Sequence, residues 1–272
     1  FFAFAAGLKK SRLAMSTIAG TYEPCKSPYQ VMGGRFLLEA PKALRARILQ
    51  FAETKLQEDL STYTKPDWKP WAGKIGDAEI IEEKPATPVL MLRLTSTLPF
   101  KGSPFNVTAV TYGHHTKAKY FPDTVLKYEM VARVSDHCDL MKSISAPALG
   151  GFISSREFFD VVCNYRCKNT GTYMTYGTAV PDEAYELAPA SKDRIVGRDL
   201  QSFFFHRQVP GDSEHTFVEY SFCSDPCGGL PKWALSRALG PTMKNYAANM
   251  RKMLTAFPTL EALMRESPEA AG

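Results

Sequence analysis

The chain has 272 residues, of which 44% are apolar and 22% charged, and it carries a formal net charge of +5. That length buries a full core, and the composition belongs to a globular protein, not to a disordered or fibrous one. No run approaches the roughly 18 consecutive apolar residues of a membrane-spanning helix. Six cysteines in this length are not a disulfide scaffold, so they are expected to be buried free thiols in a reducing, cytosolic setting.

The apolar start, Phe1-Phe2-Ala3-Phe4, reads as a cut end or processing remnant, with Met15 as an alternative start. Residues 16–36 mix Gly, Pro, Ser and Tyr without period, and 1–35 are expected to be an irregular leader. Leu44, Ile48, Phe51, Ala52, Leu56 and Leu60 then recur every three or four residues, which predicts an amphipathic helix over 41–60. After a Pro- and Trp-rich break, AEIIEEK and PVLMLRLTSTL read as strands. Ser103 and Pro104 favour a short helix. From Thr124 six strand-like stretches follow in succession: TVLKYEMVARV, CDLMKSIS, EFFDVVCNYRC, TYMTYGTAV, RDLQSFFFHRQV and HTFVEYSFC. The last element is a helix over 230–257, where Leu235, Leu239, Met243, Tyr246, Met250, Met253 and Phe257 form one stripe and Gly240-Pro241 is expected to kink it. Residues 258–272 read as a frayed tail.

One domain over 36–257 is the expectation, with an α+β fold in which a curved antiparallel sheet grips the C-terminal helix. Runs such as Phe203-Phe204-Phe205 are apolar on both strand faces, so the second face needs either core or a greasy ligand against it.

Two stretches carry a family signature: Ile153-Ser154-Ser155-Arg156-Glu157-Phe158-Phe159 opens a strand, and Cys223 to Trp233 (CSDPCGGLPKW) leads into the last helix. In this order and separation they resemble the START lipid-transfer family. The resemblance implies a helix-grip fold with an internal apolar tunnel, no catalytic residues, and the carriage of one lipid between membranes. The physics agrees, because each buried CH₂ of a lipid is worth about 0.8 kcal/mol.

Compared position by position, Ser143 and Val162 stand where sterol-type members have a buried acid and arginine, and Tyr120-Phe121 replaces the Trp-Asp of phosphatidylcholine-type members, with Lys117 as the remaining base. Arg156 matches the family at a strand entrance and reads as structural. His206 and Thr242 match sterol-type positions. Alternation along β structure sets Asp160, Val162 and Asn164 on one face. The expected anchor for a sterol, carotenoid or similar isoprenoid is therefore Asp160 with Ser143, helped by Asn164 or His206. Phe204, Tyr220 and Phe222 on strands, and Leu239, Met243, Tyr246 and Met250 on the helix, supply the expected apolar lining.

The helix over 230–257 holds five basic residues and no acid, so it accounts for the whole net charge. Trp233, Arg237, Lys244 and Arg251 are the expected membrane-docking residues, facing an anionic bilayer. That helix and the loop Val180–Lys192 form the expected gate. The pairs Cys163/Cys167 and Cys223/Cys227 have a spacing that zinc accepts, but free thiols are the simpler reading, and neither metal nor cofactor is expected. The expected partners are the lipid ligand and a transient anionic membrane surface. A monomeric protein, cytoplasmic and peripheral to membranes, with no nucleic-acid partner, completes the expectation. Two other classes compete: a helix-grip enzyme using Asp160 and His206 on an apolar substrate, and a lipid-sensing module that recruits a protein. A phospholipid is the alternative ligand.

Overall fold

The computed structural model describes residues 20–71, 79–85, 87, 89–100, 103–112 and 118–266. In chain order it contains β1 (Tyr22–Pro24), α1 (Pro28–Val31), α2 (Lys42–Tyr63), β2 (Lys69–Pro70), β3 (Glu79–Lys84), β4 (Met91–Pro99), α3 (Pro104–Tyr112), β5 (Val125–Ser135), β6 (Cys138–Ser145), β7 (Arg156–Cys167), β8 (Tyr173–Ala179), β9 (Ile195–Val196), β10 (Arg198–Val209), β11 (Asp212–Asp225), α4 (Lys232–Ala256) and α5 (Leu260–Glu266). The strands make one sheet in the order β2-β3-β4-β11-β10-β8-β7-β6-β5, with every neighbouring pair antiparallel. β1 and β9 both pair with β7, the first where β6 has ended and the second before β8 begins. Register shifts between β5 and β6 and between β10 and β11 mark bulges, which sharpen strand twist and help the long strands curl.

The pleat sorts side chains onto two faces. On the convex face, Phe159, Val161, Cys163 and Tyr165 of β7 and Phe203 and Phe205 of β10 pack against α2. Leu44, Ile48, Ala52, Leu56 and Tyr63 recur along α2 and are all nearly inaccessible. Each such aliphatic or aromatic side chain contributes about 1.5–3 kcal/mol on burial. On the concave face, α4 lays Met243, Tyr246, Met250 and Met253 over β4 and β11, with α3 beside it. This α+β, helix-grip architecture is the one expected.

Three local readings are corrected. The leader is not irregular throughout: β1 extends the sheet, and Tyr29 of α1 is buried in a cluster with Tyr128, Met141 and Val162. The end expected to fray contains α5, whose Leu263 is fully buried. Finally, Cys138 and Cys163 are not free thiols: they face each other in register across β6 and β7 and form a disulfide. Cys25, Cys167, Cys223 and Cys227 are free, and no metal-holding cluster of His, Cys, Asp or Glu occurs among the described residues.

Asp139 fastens the leader. Its carboxylate accepts hydrogen bonds from the Ser27 hydroxyl and from Gln30 Nε2 at 2.6 Å. Burial pushes this carboxyl up to about 7 despite those two donors. A group whose usual value is 3.8 then holds its proton more tightly in the folded chain than in the unfolded one. Its contribution to stability is therefore greatest in acid and is lost as pH climbs from about 4 to about 7. Hydrogen-exchange protection over residues 25–36, taken relative to the intrinsic rate at each pH, should fall between about pH 4 and about pH 7, and Asp139→Asn should flatten that dependence. Equal pH dependence in both proteins would remove Asp139 as the cause.

Candidate functional site

Between the concave face and α4 lies a cavity of about 260 Å³. β7 lines it with Arg156, Phe158, Asp160 and Val162, the alternate residues of the strand whose other face packs on α2. Neighbouring strands add Met141, Ser143 and Ser145 from β6, Thr175 and Gly177 from β8, Ser202 and Phe204 from β10, and Tyr220, Phe222 and Ser224 from β11. Helix α4 closes it with Leu235, Ala238, Leu239, Thr242, Met243 and Tyr246.

One wall is aromatic. Tyr220 stacks on Phe204 at 4.2 Å between ring centroids and on Tyr246 at 4.4 Å, while Tyr246 also meets Phe121 at 4.9 Å. Such offset rings present a flat, stiff apolar surface. The Tyr246 hydroxyl is buried without a hydrogen-bond partner among the described residues. Gly177 stands mid-strand on this lining, and a Cβ there would come within 2.7 Å of Ser202 Oγ, so its missing side chain keeps the wall open. Asp160 is 2% exposed. Tyr128 shares the lining, and burial, with Asp160 beside it, holds its phenol well above the ordinary range.

Of the residues singled out from sequence, Ser143, Asp160, Val162, Phe204, Tyr220, Phe222, Leu239, Thr242, Met243 and Tyr246 line the cavity. Asn164 and His206 do not reach it. The Asn164 side chain accepts from Thr175 Oγ1 at 2.9 Å and is spent beneath the lining. His206 is 1% exposed and bonds through Nδ1 to Thr108 Oγ1 of α3 at 2.9 Å, where burial lowers its pKa to about 3 and leaves it neutral. Met250 lies deeper, against a small void lined by Leu94 and Leu98. Arg156, Phe158, Tyr128 and Ser202 were missed, although the alternation that found Asp160 runs straight back to Phe158 and Arg156.

At one end of the cavity the β6–β7 loop approaches the start of α4. Five of the eight large apolar residues exposed among the described residues gather there: Leu126, Leu149, Phe152, Ile195 and Trp233. Leu126, Leu149 and Phe152 adjoin the lining residues Val125, Ala148 and Ile153, Ile195 pairs with Arg156, and Trp233 meets Phe152. Phe152 and Trp233 are 64% and 58% exposed and lie 6.3 Å apart between ring centroids. Leu149 is held at φ 52° between this rim and Gly150, a strained conformation for a branched side chain. The loop expected to be part of the gate sits elsewhere. Tyr185, Leu187 and Ala188 pack against the α2 cluster, and no residue of 180–192 lines the cavity. Of the docking residues, Arg237 is exposed with Trp233, whereas Arg251 is half-buried and donates to Ser96 Oγ at 3.3 Å. The Lys244 side chain lies outside the described residues.

No family model matches the chain. In sequence it is 25% identical over 139 residues to the mitochondrial steroidogenic acute regulatory protein of Ovis aries, an alignment covering 51% of this chain and 47% of that protein. The chain thus spans about half the length of the curated relatives it matches. Among solved structures it resembles human StAR-related lipid transfer protein 5, with a TM-score of 0.66 and 19% identity over 78% of this chain and 99% of that one. Human STARD10 superposes with a TM-score of 0.63 and 13% identity over 80% and 84% of the two chains.

Proposed function

We propose, for a chain that is a START domain in fold and in its sequence relationship, that it binds one hydrophobic lipid in the concave-face cavity and carries it between membranes. The observation that carries this reading is the joining of an apolar, aromatic-walled cavity to an exposed apolar rim around its mouth. A carrier needs both: a dry site that replaces water around the lipid, and an edge that tolerates hydrocarbon during exchange. No helix among the described residues is long and apolar enough to cross a membrane, which fits a peripheral mode of contact.

The ligand class this lining suits is a sterol, carotenoid or similar isoprenoid. A stiff apolar body lies well on the Phe204–Tyr220–Tyr246 stack, and the volume favours one compact body over a two-chain phospholipid. Asp160 and Ser143, brought to the same lining, serve as the polar anchor for a hydroxyl. Losing a buried hydrogen-bond partner costs about 1–3 kcal/mol, so Asp160→Ala and Asp160→Asn should each weaken a hydroxylated sterol by about fivefold or more. Unchanged affinity in both, measured by fluorescent-sterol displacement, would remove Asp160 from the anchor. Native mass spectrometry of the purified protein identifies the ligand itself.

An enzyme on the same scaffold has less support, because its acid–base candidates are not brought together: Asp160 faces the cavity while His206 is held under α3. Recovery of intact ligand after incubation is the expected result.

A further inference from the structure

Arg156 is 4% exposed and lines the cavity beside the exposed Ile195, yet its guanidinium touches only neutral acceptors. Nε donates to the Pro226 carbonyl at 2.7 Å, and Nη1 donates to the Ser154 carbonyl and hydroxyl at 2.7 and 2.6 Å. Nη2 makes no hydrogen bond to any described residue. The buried cations Lys84 and Arg93 each face a carboxylate, Asp67 and Glu82 respectively. Arg156 has no acid within 4.0 Å among the described residues. The acids next to this corner along the chain are engaged elsewhere: Glu157 pairs with Lys142 at 3.0 Å and accepts from the Ser191 amide at 3.0 Å, Ser224 Oγ donates to Asp199, and the Cys227 amide donates to Asp225 Oδ1 at 2.8 Å. A buried guanidinium without an anion carries a desolvation cost that carbonyl acceptors only partly offset, and its planar donor edge matches carboxylate or phosphate oxygens.

We propose that Arg156 is an anion subsite at the mouth of the cavity, which takes the acidic oxygens of a lipid whose apolar body lies along Phe158, Val162 and the aromatic wall. The proposal rests on the lipid-binding reading above and adds the ligand's second polar end. Arg156 and Asp160 lie four residues apart on one face of β7, which is about 13 Å along an extended strand. The cavity therefore offers an acceptor inside and a cation at the mouth, and it selects an amphiphile with a hydroxyl at one end and an acid at the other.

The test compares matched probes: cholesterol against 3β-hydroxy-5-cholestenoic acid, and hexadecanol against hexadecanoic acid, with inorganic phosphate alone as the free anion. The wild-type protein should bind each acid about tenfold or more tightly than its neutral partner. Arg156→Gln should lose that preference, binding the acid and its neutral partner alike, and Arg156→Lys should keep part of the preference. Affinity for the neutral probe also reports that the variant is folded. No preference for acid in the wild type, or a full preference surviving in Arg156→Gln, would overturn the subsite and leave the neutral-lipid reading standing. Phosphate competing as well as the acids do would overturn its assignment to a lipid. Failure of every lipid probe to bind would overturn both readings.

Discussion

Replacing Phe152 and Trp233 together by serine is expected to slow lipid transfer between vesicles by between tenfold and several hundredfold, while the ligand content of the protein stays constant. The two rings are 64% and 58% exposed among the described residues and lie together beside the cavity lining. Complete burial of a large aromatic side chain is worth about 1.5–3 kcal/mol, so partial burial of both in a bilayer amounts to about 2–4 kcal/mol of membrane affinity. Aromatic residues of this kind also prefer the headgroup level, which would hold the mouth at the depth where a lipid leaves the membrane. Vesicle flotation and transfer rates should fall together. A double variant that floats less but transfers at the normal rate would show that the rim is not the exchange surface. Reversing Arg237 alone should cost far less, about 1 kcal/mol, and only on anionic vesicles.

Removing Arg93 should be the most damaging single change to stability. Its side chain lies on the convex side of β4, 1% exposed, with Nε and Nη2 donating to Glu82 Oε2 at 3.0 and 2.6 Å. Glu219 lies 3.8 Å away and accepts a hydrogen bond from the Tyr63 hydroxyl, while the guanidinium stacks 4.3 Å over the Trp68 ring. Arg93→Ala leaves two carboxylates sharing a dry site, and breaking a buried ion pair in this way typically costs about 3–5 kcal/mol. For a domain of this size that is a fall in melting temperature on the order of 10 °C. Replacing Arg93, Glu82 and Glu219 together by apolar residues should recover most of the loss, because the penalty lies in the uncompensated charge. A loss below about 1 kcal/mol in Arg93→Ala urea unfolding would mean that water already reaches the cluster.

Period-two alternation makes a strand's face legible but not its depth. Asp160, Val162 and Asn164 share the inward phase of β7, yet the cavity ends at Val162, where the lining meets Tyr29 of the leader. Asn164 lies past that end, and His206 lies past the equivalent point on β10 under α3. Those boundaries are set by segments that pack from elsewhere in the chain, so no local pattern records them. The leader itself was illegible for a related reason. β1 is only three residues long and gains its structure from the edge left free where β6 stops. The Cys138–Cys163 bond likewise depends on the β6–β7 register across a loop of ten residues, which spacing alone does not fix. The long helices and strands were legible because their burial repeats many times: α2 and α4 each bury a residue nearly every turn.

The division of the sheet into two faces has a consequence for how such a protein can change over time. Along β7, Phe159, Val161, Cys163 and Tyr165 hold the scaffold, whereas Arg156, Phe158, Asp160 and Val162 line the cavity. The ion cluster around Arg93 and the disulfide belong with the scaffold set. A lineage can therefore exchange one set and retain the other, so new ligand preferences arise by single substitutions at alternate positions without refounding the fold. Recombining inward-facing residues between diverged carriers, with the outward-facing ones held fixed, is the corresponding route for building new specificities on this frame.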